Sequence, residues 1–289
     1  MEPVTRLHDA ATRVGTLTSL DAVAATGEAL VKRVVGRGRI KDLLSGTWLG
    51  HPLHPMLTDV PIGSFTGATV LDLVGGERGQ PAADALVGLG LLSALPTVAA
   101  GAADWSETYA EDQRIGFVHA AANAVGLSLY ALSLVARRRG RRSTGTALGL
   151  AGMGVMTVGG YLGGHLGWSR GVGVNNAFYQ HPPSDWTAVL DDADLPEGRP
   201  VRAEAGGATV LLYRDGGRIL AIGSRCSHAG GPLDEGDVDA GACTVTCPWH
   251  QSVFRLDGGA VVHGPATIPQ TAYEARVEAG RVEVRAVPA

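Results

Sequence analysis

Cys226-Ser227-His228 and, further along, Cys247-Pro248-Trp249-His250 are the stretches from which the rest of this chain is read. The first is C-x-H and the second C-x-x-H, so each short loop offers one thiolate and one imidazole. Together they form a four-donor set for a soft metal centre. Two occupants suit it. One is a zinc ion in a Cys2His2 site. The other is a [2Fe–2S] cluster, with one iron held by two cysteines and the other by two histidines.

The residues around the loops bear on that choice. His228 runs into Ala229-Gly230-Gly231-Pro232-Leu233, and Pro248 lies inside the second loop. Phe254, Gly258-Gly259 and Gly264-Pro265-Ala266 follow. In this pattern, residues 186–287 resemble a Rieske domain, an all-β fold around a [2Fe–2S] cluster. The resemblance implies that Cys226 and Cys247 bind an inner iron and that His228 and His250 bind an outer iron near the surface. It also implies that Gly264-Pro265 is the proline loop covering the cluster. Rieske proteins of high potential carry an extra cysteine in each loop, joined as a disulfide. Gly231 and Trp249 occupy those positions here, so no bridge is expected. Ser252 matches the serine whose hydroxyl bonds a bridging sulfide. Phe254 stands where the high-potential type has a tyrosine hydroxyl on a cysteine sulfur. Donors to sulfur stabilise the reduced, more negative cluster, so the missing hydroxyl points to the low or middle part of the ~−150 to +300 mV Rieske range. Gln251 departs from the glycine usual after the second histidine, which leaves the conformation of that loop open.

The chain has 289 residues, enough for two domains, and is 45% apolar but only 18% charged. That balance suggests membrane segments. A net charge of −4 gives no sign of nucleic-acid binding. Of three cysteines, only Cys243 lies outside the metal loops; it falls in a strand-like run and is expected as a buried core thiol. The first residues lack a basic start followed by an apolar run, so no secretory signal is expected there.

The expected fold is a membrane all-α four-helix bundle followed by an all-β Rieske domain. Residues 1–45 form an N-terminal segment. Within it, residues 21–44 place Val23, Leu30, Val34, Val35 and Ile40 among basic residues, as in an amphipathic helix lying on a membrane or packed on another domain. A transmembrane domain is expected over 46–170. Runs at 85–103, 115–136 and 144–169 lack formal charge and approach or exceed the ~20 residues that span hydrocarbon. A weaker run at 56–74 is bracketed by Asp59 and Asp72. Helices are expected over 56–74, 82–104, 115–136 and 145–168, joined by loops of about seven to ten residues as antiparallel neighbours. Residues 171–185 read as a linker and 186–289 as the Rieske domain. Strands at 209–213 and 218–222 flank Asp215-Gly216-Gly217. More follow at 261–262, 273–277 and 282–284, with turns at Gly258-Gly259 and Ala279-Gly280.

Antiparallel spans would bring His51, His54, His119 and His165 toward one membrane face with Asp59, and the Rieske domain would hang on that face. Trp48, Trp105 and Trp168 suit an interfacial belt there. The segment from Gly50-His51-Pro52-Leu53-His54-Pro55 to Asp59-Val60-Pro61 resembles the opening of a bacterial four-helix membrane family of unestablished activity, over about residues 45–170. Three readings of the histidines stand side by side: axial ligands of haem b, a quinone pocket in which a histidine and Asp59 handle protons, or structural histidines at a helix–water boundary.

Positive charge gives no clear orientation. Arg137, Arg138, Arg139, Arg141 and Arg142 argue for the Rieske domain outside, whereas Arg37, Arg39, Lys41, Arg114 and Arg170 argue for it inside; the bridge-free loops favour a cytoplasmic Rieske domain. The expected function is one-electron transfer at the membrane, with a redox protein or quinone as partner and membrane lipid around the helices. The alternative is a cluster-based redox sensor or assembly protein in which the helices are a plain anchor. A Rieske oxygenase needs a separate 2-His-1-carboxylate iron site, and after His250 only His263 remains.

Overall fold

The computed structural model describes residues 3–288. It divides into two compact units. One holds the chain up to Gly36 together with Leu53–Val172; the other holds Arg37–Pro52 together with the chain from Gly173 onward.

Seven α-helices come first: α1 (Pro3–Gly15), α2 (Asp21–Val35), α3 (Arg39–Ser45), α4 (Leu53–Val74), α5 (Gly76–Trp105), α6 (Ala110–Arg138) and α7 (Arg142–Gly164), the last running into a π-helical turn, His165–Ser169. Residues 21–44, expected as one amphipathic helix, are two. Gly36 (φ +64°) and Gly38 (φ +91°) put the backbone where a helix cannot continue. The break sends α3 into the second unit.

Among the described residues, three helices are long and apolar enough to cross a membrane: Gly76–Trp105, Ala110–Arg138 and Arg142–Ser169. α4 is not among them, so the expected four spans reduce to three on length and apolarity. The loops are also shorter than expected, because the helices run past the charge-free stretches. Glu111 and Asp112 lie in the first turn of α6, and Arg137 and Arg138 in its last. Charges of these signs at these ends favour the helix rather than end it.

α4 packs on α5, α5 on α6, α6 on α7 and α7 on α4. Phe65 and Tyr130 stack at 3.9 Å in the core of this ring. Near the α4–α5 and α6–α7 turns, Arg137 bonds Asp72 and reaches Asp84 at 3.0 Å, while Arg142 reaches Asp72 at 2.6 Å and Asp84 at 2.5 Å. The Arg137 and Asp72 side chains are only 1% and 4% exposed. Buried charges persist only when paired in this way.

The second unit is all-β apart from α3. Its strands are β1 (Thr187–Asp191), β2 (Val201–Ala205), β3 (Ala208–Asp215), β4 (Arg218–Gly223), β5 (Asp237–Asp239), β6 (Thr244–Thr246), β7 (Val253–Arg255), β8 (Val261–His263), β9 (Ala272–Glu278) and β10 (Arg281–Ala286). They form a six-stranded sheet, β1-β10-β9-β4-β3-β2, and a four-stranded sheet, β5-β6-β7-β8. The β3–β4 hairpin turns at Gly216 and Gly217, both at positive φ, as a two-residue turn between twisted strands requires. β3 is buried on both faces, and its alternation divides two cores. Leu211 and Tyr213 point into one with Cys226 and Cys247, while Val210 and Leu212 point into the other with Tyr273, Val282 and Val284. Cys243 is not in a strand. It is a half-buried turn residue at φ +55° just before β6.

Candidate metal centre

The loop after β4 and the loop after β6 are built alike. In the first, the Cys226 N–H donates to Gly231 O and the Gly230 N–H to Cys226 O, both at 2.8 Å. In the second, the Cys247 N–H donates to Ser252 O at 2.8 Å and the Gln251 N–H to Cys247 O at 3.1 Å. The residue four after each cysteine takes a left-handed backbone: Gly230 at φ +79° and Gln251 at φ +62°. Gln251 thus holds the conformation its glycine counterpart would. Each sulfur also faces two backbone N–H groups, those of His228 and Ala229 for Cys226 and those of Trp249 and His250 for Cys247.

The two thiols are buried and hydrogen-bonded to each other. This bond, with the backbone N–H groups, lowers Cys247 to about 6 against the opposing pull of burial. The same bond, together with burial, pushes Cys226 up. The pair is therefore set to hold one thiolate readily. His228 and His250 form a second pair, with half-buried rings 4.8 Å apart at 81°. Among the described residues no three His, Cys, Asp or Glu side chains gather on one ion position. Zinc would draw all four donors onto a single ion. Thiols paired with thiols and imidazoles with imidazoles fit the divided donor set of a [2Fe–2S] cluster.

The surroundings fit the same group. No disulfide crosses the loops, and all three cysteines are free. In its place, Trp249 lies against Gly231, where an added Cβ would come within 3.1 Å of the indole and 3.0 Å of Cys247 Sγ. Phe254 is fully buried in the core that holds both cysteines and offers no hydroxyl. Ser252, also fully buried, accepts at Oγ from the Ala266 N–H at 2.9 Å, which leaves its own proton to donate. Gly264-Pro265 lies directly before this contact.

Two residues escaped the sequence reading. Asn176, in the stretch read as a linker, donates from its side chain to His228 O at 2.7 Å and from its backbone to Ser227 O at 2.9 Å, while Arg225 donates to Asn176 O at 2.8 Å. Asp42 of α3 accepts from the Gly264 N–H at 2.8 Å and pairs with His263 Nδ1 at 2.9 Å. Nothing in local sequence marks either one.

The membrane histidines do not gather as one group. His54 and His119 do meet, with ring centres 6.3 Å apart. His54 Nδ1 is bonded to Thr97 O at 2.9 Å and His119 Nδ1 to Gly159 O at 2.7 Å, so each ring carries its proton on Nδ1 and its lone pair on Nε2. Gly101 and Gly163 make room for them: a Cβ at Gly101 would stand 2.7 Å from the His54 ring, and one at Gly163 2.9 Å from the His119 ring. His165 is buried and turns to His8 instead, at 5.1 Å. His51 is exposed, with Nδ1 3.3 Å from its neighbour Pro52 O, and Asp59 is exposed. Of the expected belt, Trp48 and Trp168 are exposed, but Trp105 is not free for it. Its indole packs on Gly27 and Gly116 and donates to Gln113 O at 2.9 Å.

Comparison with known proteins agrees with this division. The Rieske [2Fe-2S] domain family matches residues 185–274, and the family described as predicted membrane protein (DUF2231) matches residues 50–176. The 3-phenylpropionate/cinnamic acid dioxygenase ferredoxin subunit of Escherichia coli (strain K12) is 39% identical over 90 residues, which are 31% of this chain and 83% of that protein. Apoptosis-inducing factor 3 of Homo sapiens is 34% identical over 99 residues, which are 34% of this chain and 16% of that one. Among solved structures, the ferredoxin of carbazole 1,9a-dioxygenase from Nocardioides aromaticivorans IC177 is 31% identical, with a TM-score of 0.34, over 35% of this chain and 98% of its own. With its paired thiol and imidazole loops, free of any bridge, and its Escherichia coli relative covered over 83% of that protein's length, the chain belongs to the Rieske [2Fe–2S] family, its Rieske domain following a domain of the predicted membrane protein family.

Proposed function

We propose that the chain is a membrane-anchored one-electron carrier, with Cys226 and Cys247 binding one iron of a [2Fe–2S] cluster and His228 and His250 the other. The observation that carries this is the matched pair of loops, each aiming two backbone N–H groups at its sulfur, with the imidazoles paired separately. The cluster, when bound, supplies a one-electron couple. The four backbone donors and the Ser252 hydroxyl offset negative charge on sulfur, while Phe254 withholds the further donor that would raise the potential. A potential in the low or middle part of the ~−150 to +300 mV range follows. The Escherichia coli relative is named as the ferredoxin subunit of a dioxygenase. A redox protein docking beside His228 and His250 is the partner in kind. Iron and acid-labile sulfide in equal amounts, with a reduced-state EPR signal in the full chain purified in mild detergent, is the expected result. Zinc without sulfide would overturn the assignment.

The anchor is the helical domain at 46–170, linked through 171–185 to the Rieske domain at 186–289. α5, α6 and α7 would span the membrane of the cell, with α4 as a shorter fourth member. Outward-facing Leu73, Leu92, Leu95, Leu132 and Val158 are exposed apolar side chains that water would not favour and lipid would. The bridge-free loops, with all three cysteines free, support a Rieske domain on the cytoplasmic side. Protease added to intact cells should leave that domain uncut.

A second redox or proton site in the helical domain falls on His54 and His119 rather than on His51, His165 or Asp59. Their Nδ1–carbonyl bonds are the support that orients a ligating or proton-accepting Nε2. Sharp bands in a reduced-minus-oxidised optical spectrum, lost in His54→Ala and in His119→Ala but kept in His51→Ala, would establish haem b there. Their absence together with quinol-dependent reduction of the cluster would favour quinone.

A further inference from the structure

Residues 37–49 lie outside both family matches. Yet the chain leaves the helical unit after Gly36, contributes Arg37–Pro52 to the β unit, and returns at Leu53. We propose that this excursion is a clamp on the cover of the cluster, with Asp42 as the positioning residue through which the clamp sets the cluster's potential. The proposal rests on the cluster assignment given above.

Asp42 uses both carboxylate oxygens on successive residues. Oδ1 accepts from the Gly264 N–H at 2.8 Å, and Oδ2 pairs with His263 Nδ1 at 2.9 Å. A hydrogen bond to a charged group is shorter and about twice as strong as a neutral one. The Asp42 side chain is 18% exposed, so water screens it only in part. The approach is close enough to require glycine at 264, where a Cβ would lie 2.7 Å from Thr47 Oγ1 and 3.6 Å from Asp42 Oδ1. Two residues on, the Ala266 N–H is the donor to Ser252 Oγ. A continuous path therefore runs from α3 through Gly264 and Pro265 to Ala266, which is buried in the core that holds Cys226 and Cys247 and donates to Ser252 Oγ.

Two effects follow, and they separate by substitution. The carboxylate adds negative charge against the loop that covers the group gaining an electron, which disfavours reduction. Its hydrogen bond fixes the loop that holds Ser252 in place. Asparagine keeps an oxygen for the Gly264 N–H and removes the charge, whereas alanine removes both.

The test is a redox titration of the full-length protein in detergent, followed by EPR of the reduced cluster. Asp42→Asn is expected to shift the one-electron equilibrium toward reduction by about threefold to tenfold, roughly 30–60 mV, with g-values unchanged. Asp42→Ala is expected to change the g-values as well, because Gly264–Ala266 loses its hold. Wild-type potential and g-values in both variants overturn the clamp. A shift without any change of g-values in Asp42→Ala makes Asp42 a charge alone and overturns its positioning role. No cluster signal in the wild-type protein removes the underlying assignment, an outcome distinct from either.

Discussion

Loop 226–231 and loop 247–252 close on the same pair of backbone hydrogen bonds, yet the first places its histidine two residues after the cysteine and the second three. The shared frame is made by main-chain groups, which demand little of the side chains. The difference in offset accompanies a pairing of the two rings at 4.8 Å, while the thiols hydrogen-bond each other. Cluster geometry is thus divided between an element repeated in both loops and one varied between them. The largest effect that tests this equivalence is loss of the centre. Cys226→Ser and Cys247→Ser should each remove iron and sulfide completely, measured by metal analysis. A cluster kept by either variant would show the loops to be unequal partners.

The fifth residue after each cysteine shows where the loops diverge in function. Gly231 must lack a side chain because Cys247 Sγ and Trp249 occupy its space, whereas Ser252 uses its side chain to accept from the Ala266 N–H. Gly231→Ala forces a methyl group against Cys247 Sγ, so overpacking of about 1–3 kcal/mol is expected in thermal unfolding. Ser252→Ala strands the Ala266 N–H at a cost of about 1–3 kcal/mol and removes the proposed hydroxyl donor to the cluster. Its potential should fall below that of the wild type. An unchanged potential would show that the hydroxyl serves the loop alone.

How much of this was visible in the sequence depends on the distance between partners. The Rieske domain was legible because its cysteines, histidines, glycines and prolines are spaced within short loops. The β3–β4 and β9–β10 hairpins were legible because Gly216-Gly217 and Ala279-Gly280 carry the turn. Apolar helices were legible from long charge-free runs, but their ends were not, since Glu111 and Arg138 continue α6 instead of closing it. Asp42 was hidden because its partner lies 222 residues away. Asn176 was hidden in a stretch whose composition suggests a linker. His165 illustrates a different limit: helix direction placed it at the expected end of α7, but only packing shows that it turns to His8 rather than to His54 and His119.

The smallest effect tests the shared frame itself. Gly230 and Gln251 stand at the same left-handed position, and only glycine enters that region freely. For a residue with a Cβ the conformation costs about 1–2 kcal/mol. Glycine in its place frees the unfolded chain, which takes back about 0.5–1 kcal/mol. Gln251 is exposed, so its side chain gives up little packing. The balance predicts that Gln251→Gly stabilises the cluster-loaded protein by up to about 1.5 kcal/mol, whereas Gly230→Ala destabilises it by a similar amount, with a further cost because its Cβ would stand 3.0 Å from the Arg225 guanidinium. Opposite signs in parallel thermal melts would show that both loops obey one backbone rule. A destabilising Gln251→Gly would mean instead that the glutamine side chain makes a contact of its own near His250, and the second loop would then be held by more than its frame.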